Sequence, residues 1–371
     1  MNIHVAQTER AIAELKYLSS SKQQLISSQS SKPNMAIVQD SLLAAYQMTI
    51  GFYKITREEF FEIAMKTNLS SNQIIKYINH IKKILKQKGK KPEVFTGKGL
   101  VSLILPKDFN YEVNNKGHPD EPYIKIYRGV LYEGVINKSI IGASHISLIR
   151  ILEKEYGCEV ASSFIDNMQF ITNAWLYLTG FSIGIGDCVV QGKEQKQKID
   201  YVIQKCYIEA EGIKATTSHP NIREIRITAA LSKAKDIGLK IAKDSLKKDN
   251  NFLFTVNSGS KGDFFNIAQI TGLLGQQNLM GQRIVSVLNN NTRTLPHYPF
   301  EDLPMELEYE SKGFIASSFI QGLNPREFYF HCMSGREGVC DKLVSPTASC
   351  YINYLFNMGQ QCYLLVLNLL C

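Results

Sequence analysis

Residues 192–248 carry the pattern that most restricts the fold of this chain. They are charged and helical in composition, and the sequence "SHPN" at residues 218–221 interrupts them once. Proline breaks a helix from the inside but suits a first helical turn. The pattern therefore predicts two long helices joined at a proline-containing turn, an antiparallel αα-hairpin that partly projects from its domain.

Length and hydropathy indicate a globular chain without a membrane segment. The 371 residues are 44% hydrophobic, which is enough for two or three folding units with their own cores. The most apolar stretch, "CYLLVLNLLC" at residues 362–371, is too short to span a bilayer. The N-terminus has no basic segment followed by an apolar one, so the sequence argues against secretion and against a membrane partner.

Cysteines and histidines show no metal-binding spacing. The eight cysteines and seven histidines are dispersed, and no pair of cysteines has the CxxC spacing of a zinc knuckle. We therefore expect no zinc site, and we expect free thiols in a reducing, intracellular compartment. The net charge of +8 favours a polyanionic partner only weakly.

A helical pattern begins near residue 56 and is followed by a lysine-rich amphipathic segment. In "TREEFFEIAMKT", Thr56 and the glutamates after it are typical of a helix N-terminus. The next segment, residues 70–91, is predicted to place on one stripe Ile74, Ile75, Ile78, Ile81, Ile84 and Leu85. The opposite face carries Lys82, Lys83, Lys86, Lys88, Lys90 and Lys91. We interpret these lysines as a solvated face, with contact to nucleic acid as the alternative.

Between residues 93 and 145 the hydrophobic period changes to two. The segments "GLVSLILP" and "YIKIYRGVLYEGVI" are predicted to be strands, with a tight hairpin turn at Arg128–Gly129. A helical stretch follows over about 145–179 and ends at "TGFSIGIGD", whose glycines interrupt regular structure. The combination predicts an α+β fold: a mixed, strand-rich domain followed by a mostly helical one.

The tetrapeptide Gly259–Gly262, "GSKG", combines flexible backbone with one cation. Glycines let the backbone approach a ligand closely, and the ammonium group of Lys261 can meet a phosphate as a point charge. The GxxxxGK[ST] sequence of a P-loop is absent, so ATP hydrolysis is not predicted. A plain turn ahead of a helix is the commoner interpretation of such a sequence.

Two later segments have unusual helical patterns. Residues 263–284 suit a helix by their apolar spacing, but amides interrupt the pattern at Asn266, Gln269, Gln276 and Gln277. Buried amides must be hydrogen-bonded, so this helix is predicted to line a polar channel or to hold a neighbouring loop, or else to satisfy its amides within the core. A helix from Pro325 carries the consecutive aromatics Phe328–Phe330, which predicts burial on several sides. Two glycines then weaken it by about 1 kcal/mol each relative to alanine.

Ten segments, in order, resemble the largest subunit of multisubunit DNA-directed RNA polymerases of the eukaryotic or large-DNA-virus type. The resemblance covers roughly residues 1–345. The segments are "HVAQTERAIAEL", "SKPNMAIVQD", "FTGKGLVS", "GVINKSIIG", "GFSIGIGD", "SGSKGDFFNIAQ", "GQQNLMGQRI", "RTLPH", "ESKGFI" and "GLNPREFYFHCMSGREG".

The resemblance implies a domain organisation. Residues 1–22 resemble the tail of the active-site domain, and residues 23–187 the pore domain. Residues 188–322 resemble the funnel domain with its hairpin at about 192–248, and residues 323–345 the start of the bridge helix. Residues 346–371 match nothing in the family, and Pro346 would kink the helix at the matching point.

The resemblance also assigns roles to individual residues. Lys261 matches a lysine that meets the phosphates of incoming nucleoside triphosphates, and Lys138 matches a basic position at the pore. Gln276 and Gln277 match a funnel segment close to the bridge helix that forms part of the amatoxin pocket, and Arg336 is assigned to the same funnel–bridge contact.

The resemblance implies transcription within a complex. The partners would be the second-largest and other polymerase subunits, template DNA, the RNA–DNA hybrid and nucleotides, in the nucleus or in a viral cytoplasmic factory or virion. The family's catalytic Mg²⁺ is held by an aspartate loop that this sequence lacks, so no catalytic residue and no metal ligand is predicted, and the chain alone is expected to be inactive. The alternatives are a non-catalytic protein that binds nucleic acid or a polymerase, or an inactive truncated gene product.

Overall fold

The structure, a computed structural model, has an α+β fold dominated by helices. It describes residues 5–51, 54–114, 121–189, 193–247, 249–299 and 303–344. Its α-helices are α1 (Glu9–Tyr17), α2 (Gln39–Ile50), α3 (Arg57–Ala64), α4 (Ser71–Gln87), α5 (Gly97–Leu103), α6 (Lys138–Ile141), α7 (Leu148–Tyr156), α8 (Cys158–Thr179), α9 (Ile185–Cys188), α10 (Lys193–Thr216), α11 (Pro220–Ser245), α12 (Asn251–Ser258), α13 (Phe264–Thr271), α14 (Met305–Ser311) and α15 (Pro325–Val339).

The strands are short and antiparallel. They are β1 (Tyr111–Asn114), β2 (Tyr123–Tyr127), β3 (Val130–Glu133), β4 (Gly275–Gln276), β5 (Asn278–Leu279), β6 (Gln282–Arg283) and β7 (Phe314–Ile315). Strands β1, β2 and β3 form one sheet in that order, β4 pairs with β7, and β5 pairs with β6. The predicted turn at Arg128–Gly129 is confirmed: both residues have positive φ, at 47° and 73°, and Tyr127 pairs with Val130.

The described residues divide into two compact units. The first comprises the chain up to Asp187 together with Lys247–Asp263, and the second comprises Cys188–Leu246 together with the chain from Phe264 onward. In the first unit, α2, α3, α4, α5, α7 and α8 share one hydrophobic core with the three-stranded sheet, and α4 and α5 contact strand β3. Its largest fully buried side chains include Trp175, Phe60, Phe109 and Phe164. Burial of such large apolar side chains is the main source of stability for the unit.

Two local predictions for the first unit are confirmed. Thr56 forms a capping box with Glu59 at the start of α3, so two of the helix's unpaired backbone N–H groups are satisfied. In α4, the apolar stripe is buried except for Ile75, whose exposed fraction is 52%. Ile75 falls outside the stripe because a helix of 3.6 residues per turn turns it about 100° away from Ile74.

The segment "GLVSLILP" is helical, and the prediction of a strand there is wrong. Thr96 accepts a hydrogen bond from the Gly99 N–H and so caps α5. A Cβ atom added at Gly97 would lie 2.1 Å from the Met48 carbonyl oxygen, so only glycine allows α5 to approach α2 this closely. The run looks like a strand because it is buried on every side, and burial of that kind removes the polar face by which helical periodicity is recognised.

The second unit is built on the hairpin of α10 and α11. The two helices are antiparallel, and Lys233 of α11 pairs with Glu209 of α10. The core beside the hairpin contains Tyr207, stacked on Tyr309 with ring centroids 4.9 Å apart, and Phe314, 5.3 Å from the Tyr207 ring. Stacked and edge-to-face pairs of this kind add to the energy of burial.

The helix predicted over residues 263–284 is shorter than expected. Helix α13 ends at Thr271, and residues 275–283 form the small strands β4, β5 and β6. The prediction of one helix fails because Gly275 has a φ of 78°, which no helix accommodates, and because β4 pairs with Phe314–Ile315, far away in sequence. No helix in the described ranges is long and apolar enough to cross a membrane.

Candidate functional site: a lysine-bearing corner of the first unit

Helix α2 contacts the two segments that carry Lys138 and Lys261, the lysines singled out in the sequence. Its Thr49 hydroxyl accepts a hydrogen bond from the Ile136 N–H at 2.9 Å, which fixes the chain just before Lys138. On the same helix, Tyr46 packs against Phe254 of α12 with ring centroids 5.9 Å apart. Leu43 and Val135 complete this buried cluster. One helix thus holds both the segment leading into α6 and the segment leading to Lys261.

Polar contacts fix the direction of α12. The Asn250 side chain accepts hydrogen bonds from the N–H groups of Phe252 and Leu253, and its amide donates to the Asp187 carbonyl at 2.9 Å. Near the other end of the helix, a hydrogen bond joins the side chains of Tyr46 and Asn257. Burial raises the pKa of Tyr46 to about 12, against the smaller opposing effect of that hydrogen bond. The hydroxyl therefore remains protonated throughout the physiological range.

The "GSKG" sequence forms a tight turn between α12 and α13. Gly259 has φ 76° and ψ 17°, the left-handed conformation of a helix C-cap, and its N–H donates to the α12 carbonyls. The N–H groups of Ser260 and Lys261 both point back to the Thr255 carbonyl, at 3.1 and 3.3 Å. The turn therefore follows one helix as well as preceding another, and its backbone is fixed by hydrogen bonds.

The turn lies against Lys138. A Cβ atom added to Gly259 would lie 2.7 Å from the Lys138 Cβ and 3.0 Å from its Cδ, so the lysine stem rests directly on the glycine. Lys138 is the first residue of α6, which Asn137 caps by accepting from the Ser139 N–H. The side chains of Lys138 and Lys261 are both exposed. We call this arrangement, Lys138 together with Gly259–Gly262, the lysine corner.

The lysine corner is suited to attract a phosphate. Neither lysine forms an ion pair with a carboxylate among the described residues. Two exposed ammonium groups on neighbouring turns raise the local concentration of anions, and lysine on a flexible stem binds them as a point charge. The arrangement supplies positive charge on a fixed turn, so it can attract and orient a polyphosphate.

The predicted amides occupy a separate place in the second unit. Gln277 is buried, and its N–H donates to the Gly313 carbonyl at 2.8 Å. Its Oε1 atom faces Nδ1 of His331 on α15 at 3.4 Å. Gln276 donates through Nε2 to the Lys312 carbonyl at 2.9 Å, while its buried Oε1 atom has no partner in the described part of the chain. Of the four amides, Gln277 is buried, Gln269 and Gln276 are half-buried, and Asn266 is exposed, so the four are not all satisfied within the core.

Comparison with known proteins identifies the chain. It matches the family RNA polymerase Rpb1, domain 3, over residues 24–188, and the family RNA polymerase Rpb1, domain 4, over residues 211–315. It is also 46% identical, over 379 aligned residues, to the probable DNA-directed RNA polymerase II subunit RPB1 homolog of Invertebrate iridescent virus 6. The chain belongs to the RNA polymerase largest-subunit family. The alignment covers 95% of this chain and 36% of that relative, so the chain spans about a third of the relative's length.

The two family matches cover different parts of the chain. The domain 3 match contains Lys138, and the domain 4 match contains Lys261, Gln276 and Gln277. In the structure, however, Lys261 lies in the first unit, two residues after Gly259, which contacts Lys138. The lysine corner therefore joins residues from both of the matched polymerase domains, which sequence reasoning alone does not predict.

Helix α15, the start of the bridge helix by resemblance, is less buried than predicted. Phe330 is buried and stacks on Tyr298 with centroids 6.5 Å apart, but the exposed fractions of Phe328 and Tyr329 are 57% and 52%. A helix buried on several sides is therefore a wrong expectation for the described residues. A π-helical turn at Cys340–Val344 follows α15, and the predicted kink at Pro346 lies outside the described residues.

Among the described residues, the hydrogen bonds between α15 and the segment after Gln277 do not involve Arg336, the residue that the resemblance assigns to this contact. Arg336 is exposed on α15. Its neighbour Glu337 accepts a hydrogen bond from the Met280 N–H at 2.6 Å, so the contact between α15 and the segment after Gln277 is made by Glu337 and His331. Sequence reasoning missed both, although each falls within the segment "GLNPREFYFHCMSGREG". In the described ranges, no group of three or more His, Cys, Asp or Glu side chains is arranged to hold a metal ion.

Proposed function

We propose that this chain acts in DNA-templated transcription as part of the largest subunit of a DNA-directed RNA polymerase. The single observation that carries the proposal is the lysine corner, in which Lys138 and the "GSKG" turn meet on a chain of this family. A nucleoside triphosphate carries its negative charge on its phosphates, and this corner offers unpaired ammonium groups on fixed backbone. Its role would be to receive nucleotides on their way to the catalytic centre.

The proposal includes a domain assignment. Residues 23–187 would form the wall of the pore through which nucleotides pass, and residues 188–322 the funnel with its hairpin of α10 and α11. Residues 323–345 would begin the bridge helix. Gln276 and Gln277 would contact it from the funnel, and Arg336 would be a residue of the helix at that contact. The packing of Gln277 against His331 at 3.4 Å supports this last contact.

The proposal also includes partners. The chain would work with the second-largest and other polymerase subunits, template DNA and the RNA–DNA hybrid, and Mg²⁺ would be bound by aspartates that this chain does not supply. The resemblance to the family supports the binding of Mg²⁺ outside this chain, since nucleotidyl transfer uses metal-bound oxygens at both the attacking and leaving positions.

Affinity purification tests the proposal. We expect the tagged chain, expressed in its native host system, to recover the second-largest polymerase subunit, identified by mass spectrometry, in a wash at physiological salt. The Lys138→Ala variant should recover the same subunit, since an exposed lysine at the lysine corner is not expected to maintain assembly. Recovery of nucleic acid without any polymerase subunit would favour the alternative function, a nucleic-acid-binding protein.

A further inference from the structure

The first unit contains a groove that the proposed function does not use. Its volume is about 840 Å³. It is lined by the end of α2, the second half of α4, residues 90–96, the start of α5, and β3. We call it the α4–α5 groove. It does not include Lys138 or Lys261.

The rim of the α4–α5 groove is strongly basic. Five lysines line it, namely Lys54, Lys82, Lys90, Lys91 and Lys98, against one acidic residue, Glu93. Lys98 pairs with Glu121 at 2.8 Å. The other four are exposed and form no ion pair with a described residue. Four unpaired positive charges around one concave surface attract a partner of opposite charge, and the attraction weakens with salt.

The inside of the groove is apolar. Its floor contains the core residues Met48, Ile81 and Leu85. Nearer the opening, Ile55, Phe95 and Tyr132 are partly exposed and remain available to an apolar side chain. A ligand that matches both features has negative charges on its outer side and apolar groups that enter the groove.

The aromatic residues argue against a nucleic acid as that ligand. Phe95 packs edge-on against Phe60 at 5.3 Å, and the Arg57 guanidinium lies 5.9 Å from its centroid. The Lys88 ammonium group lies 5.4 Å from the Tyr132 ring centroid. Proteins that bind single strands stack bases on free aromatic faces, whereas both of these rings already have aromatic or cationic neighbours. The groove is also lined by lysine without any arginine, whereas arginine is the residue that binds phosphate in a bidentate manner.

We propose that the α4–α5 groove binds an acidic, amphipathic peptide segment of a partner protein. Aspartate and glutamate side chains of the segment pair with Lys54, Lys82, Lys90 and Lys91 on the rim. Its apolar side chains contact Ile55 and the exposed edges of the aromatic rings inside. The basic rim provides a fast, salt-sensitive encounter, and the apolar contacts then hold the segment in place.

Fluorescence anisotropy of the full chain tests the proposal. The probe is a short fluorescein-labelled peptide in which glutamate alternates with leucine and phenylalanine. Its comparison is a single-stranded oligonucleotide of the same net charge. We expect the peptide to bind more tightly than the oligonucleotide. We also expect a peptide with serine in place of leucine and phenylalanine to bind more weakly, because it lacks the groups that enter the groove.

Two double variants with the same change in net charge locate the binding. Lys82→Glu/Lys90→Glu changes the rim, and Lys76→Glu/Lys83→Glu changes exposed lysines of α4 that do not line the groove. The first should raise the peptide Kd by about tenfold or more, because each reversal turns an attraction into a repulsion, and the second by about twofold or less. All four positions are exposed, and circular dichroism checks that both variants fold.

Three outcomes would overturn the proposal. Equal losses of affinity in the two double variants would show general attraction to a basic helix. Tighter binding of the oligonucleotide, with the same dependence on Lys82 and Lys90, would assign the groove to nucleic acid. Undetectable binding of the peptide at low salt would leave the groove without the proposed ligand.

Discussion

Gly259 lies directly beneath the side chain of Lys138, and a Cβ atom at residue 259 would lie 2.7 Å from the Lys138 Cβ. The two residues are far apart in sequence, and helix α2 brings them together by packing against both of their segments. Because Gly259 is also the left-handed C-cap of α12, one residue ends a helix and leaves room for a lysine. The position of the "GSKG" turn is therefore a packing requirement of the first unit.

Replacement of Gly259 by alanine should destabilise the chain. The left-handed backbone at φ 76° costs a non-glycine residue about 1–2 kcal/mol, and the overlap with Lys138 adds to that cost. We expect a lower Tm in calorimetry for Gly259→Ala. The matched control is Gly212→Ala in the exposed interior of α10, where no atom lies within 4 Å of the added Cβ. It should stabilise by up to about 1 kcal/mol. A Gly259→Ala variant as stable as the native chain would contradict the contact.

Loss of the Glu224 carboxylate should lower the free energy of unfolding of the second unit. Arg283 donates to Glu224 through Nε at 2.9 Å and Nη2 at 2.7 Å, and the exposed fraction of its side chain is 5%. Glu224→Ala leaves this buried guanidinium without its carboxylate, and we expect a loss of about 2–4 kcal/mol in the free energy of unfolding in urea. The control Glu209→Ala removes an exposed pair with Lys233, for which a change below about 1 kcal/mol is expected. Equal effects in the two variants would contradict the buried environment of Arg283.

Acid should weaken the second unit through His331. Burial lowers the pKa of this imidazole below its ordinary value of 6.5. As the pH falls below that value, the unfolded chain takes up the proton first, so stability is present above pH 6.5 and is lost as the pH falls toward the lower folded pKa. In the native chain, we expect the free energy of unfolding to decrease over this interval.

The His331→Gln variant isolates that effect, because glutamine keeps a hydrogen-bond donor near the Gln277 Oε1 atom and does not titrate. The stability of the native chain relative to this variant should fall with decreasing pH. A difference that stays constant from neutral pH to pH 5 would show that His331 does not titrate differently in the folded and unfolded chain.

Local sequence signals predict those parts of the fold that depend on neighbouring residues. Thr56 with Glu59, and Arg128 with Gly129, form the capping box and the turn that their residue types favour. The prediction fails where contacts with residues distant in sequence determine the secondary structure. Helix α5 depends on the contact of Gly97 with the Met48 carbonyl, and the end of α13 depends on the pairing of Gln276 with Phe314. Neither partner is visible in a local hydrophobic period.

The candidate site shows the same division. The sequence of Gly259–Gly262 alone predicts a flexible segment with one positive charge. The resemblance to polymerases is what singles out Lys138 and Gln277. The contact of Gly259 with Lys138 could not be predicted, because it depends on how Tyr46 and Thr49 orient two other segments. His331 and Glu337 were missed because the hydrophobic pattern of α15 drew attention to its aromatics, two of which are exposed.

The most direct test of the proposed function is the dependence of RNA elongation on nucleotide concentration in the assembled polymerase that contains this chain. In Lys261→Ala, the loss of one ammonium group at the lysine corner should raise the apparent KM for nucleoside triphosphates about twofold to fivefold, since an exposed charge contact contributes about 0.5–1 kcal/mol. The control Lys66→Ala removes an exposed lysine that follows α3 and does not belong to the lysine corner, and it should leave KM unchanged. An unchanged KM in Lys261→Ala, in an enzyme that still assembles and elongates, would contradict a role for the lysine corner in receiving nucleotides.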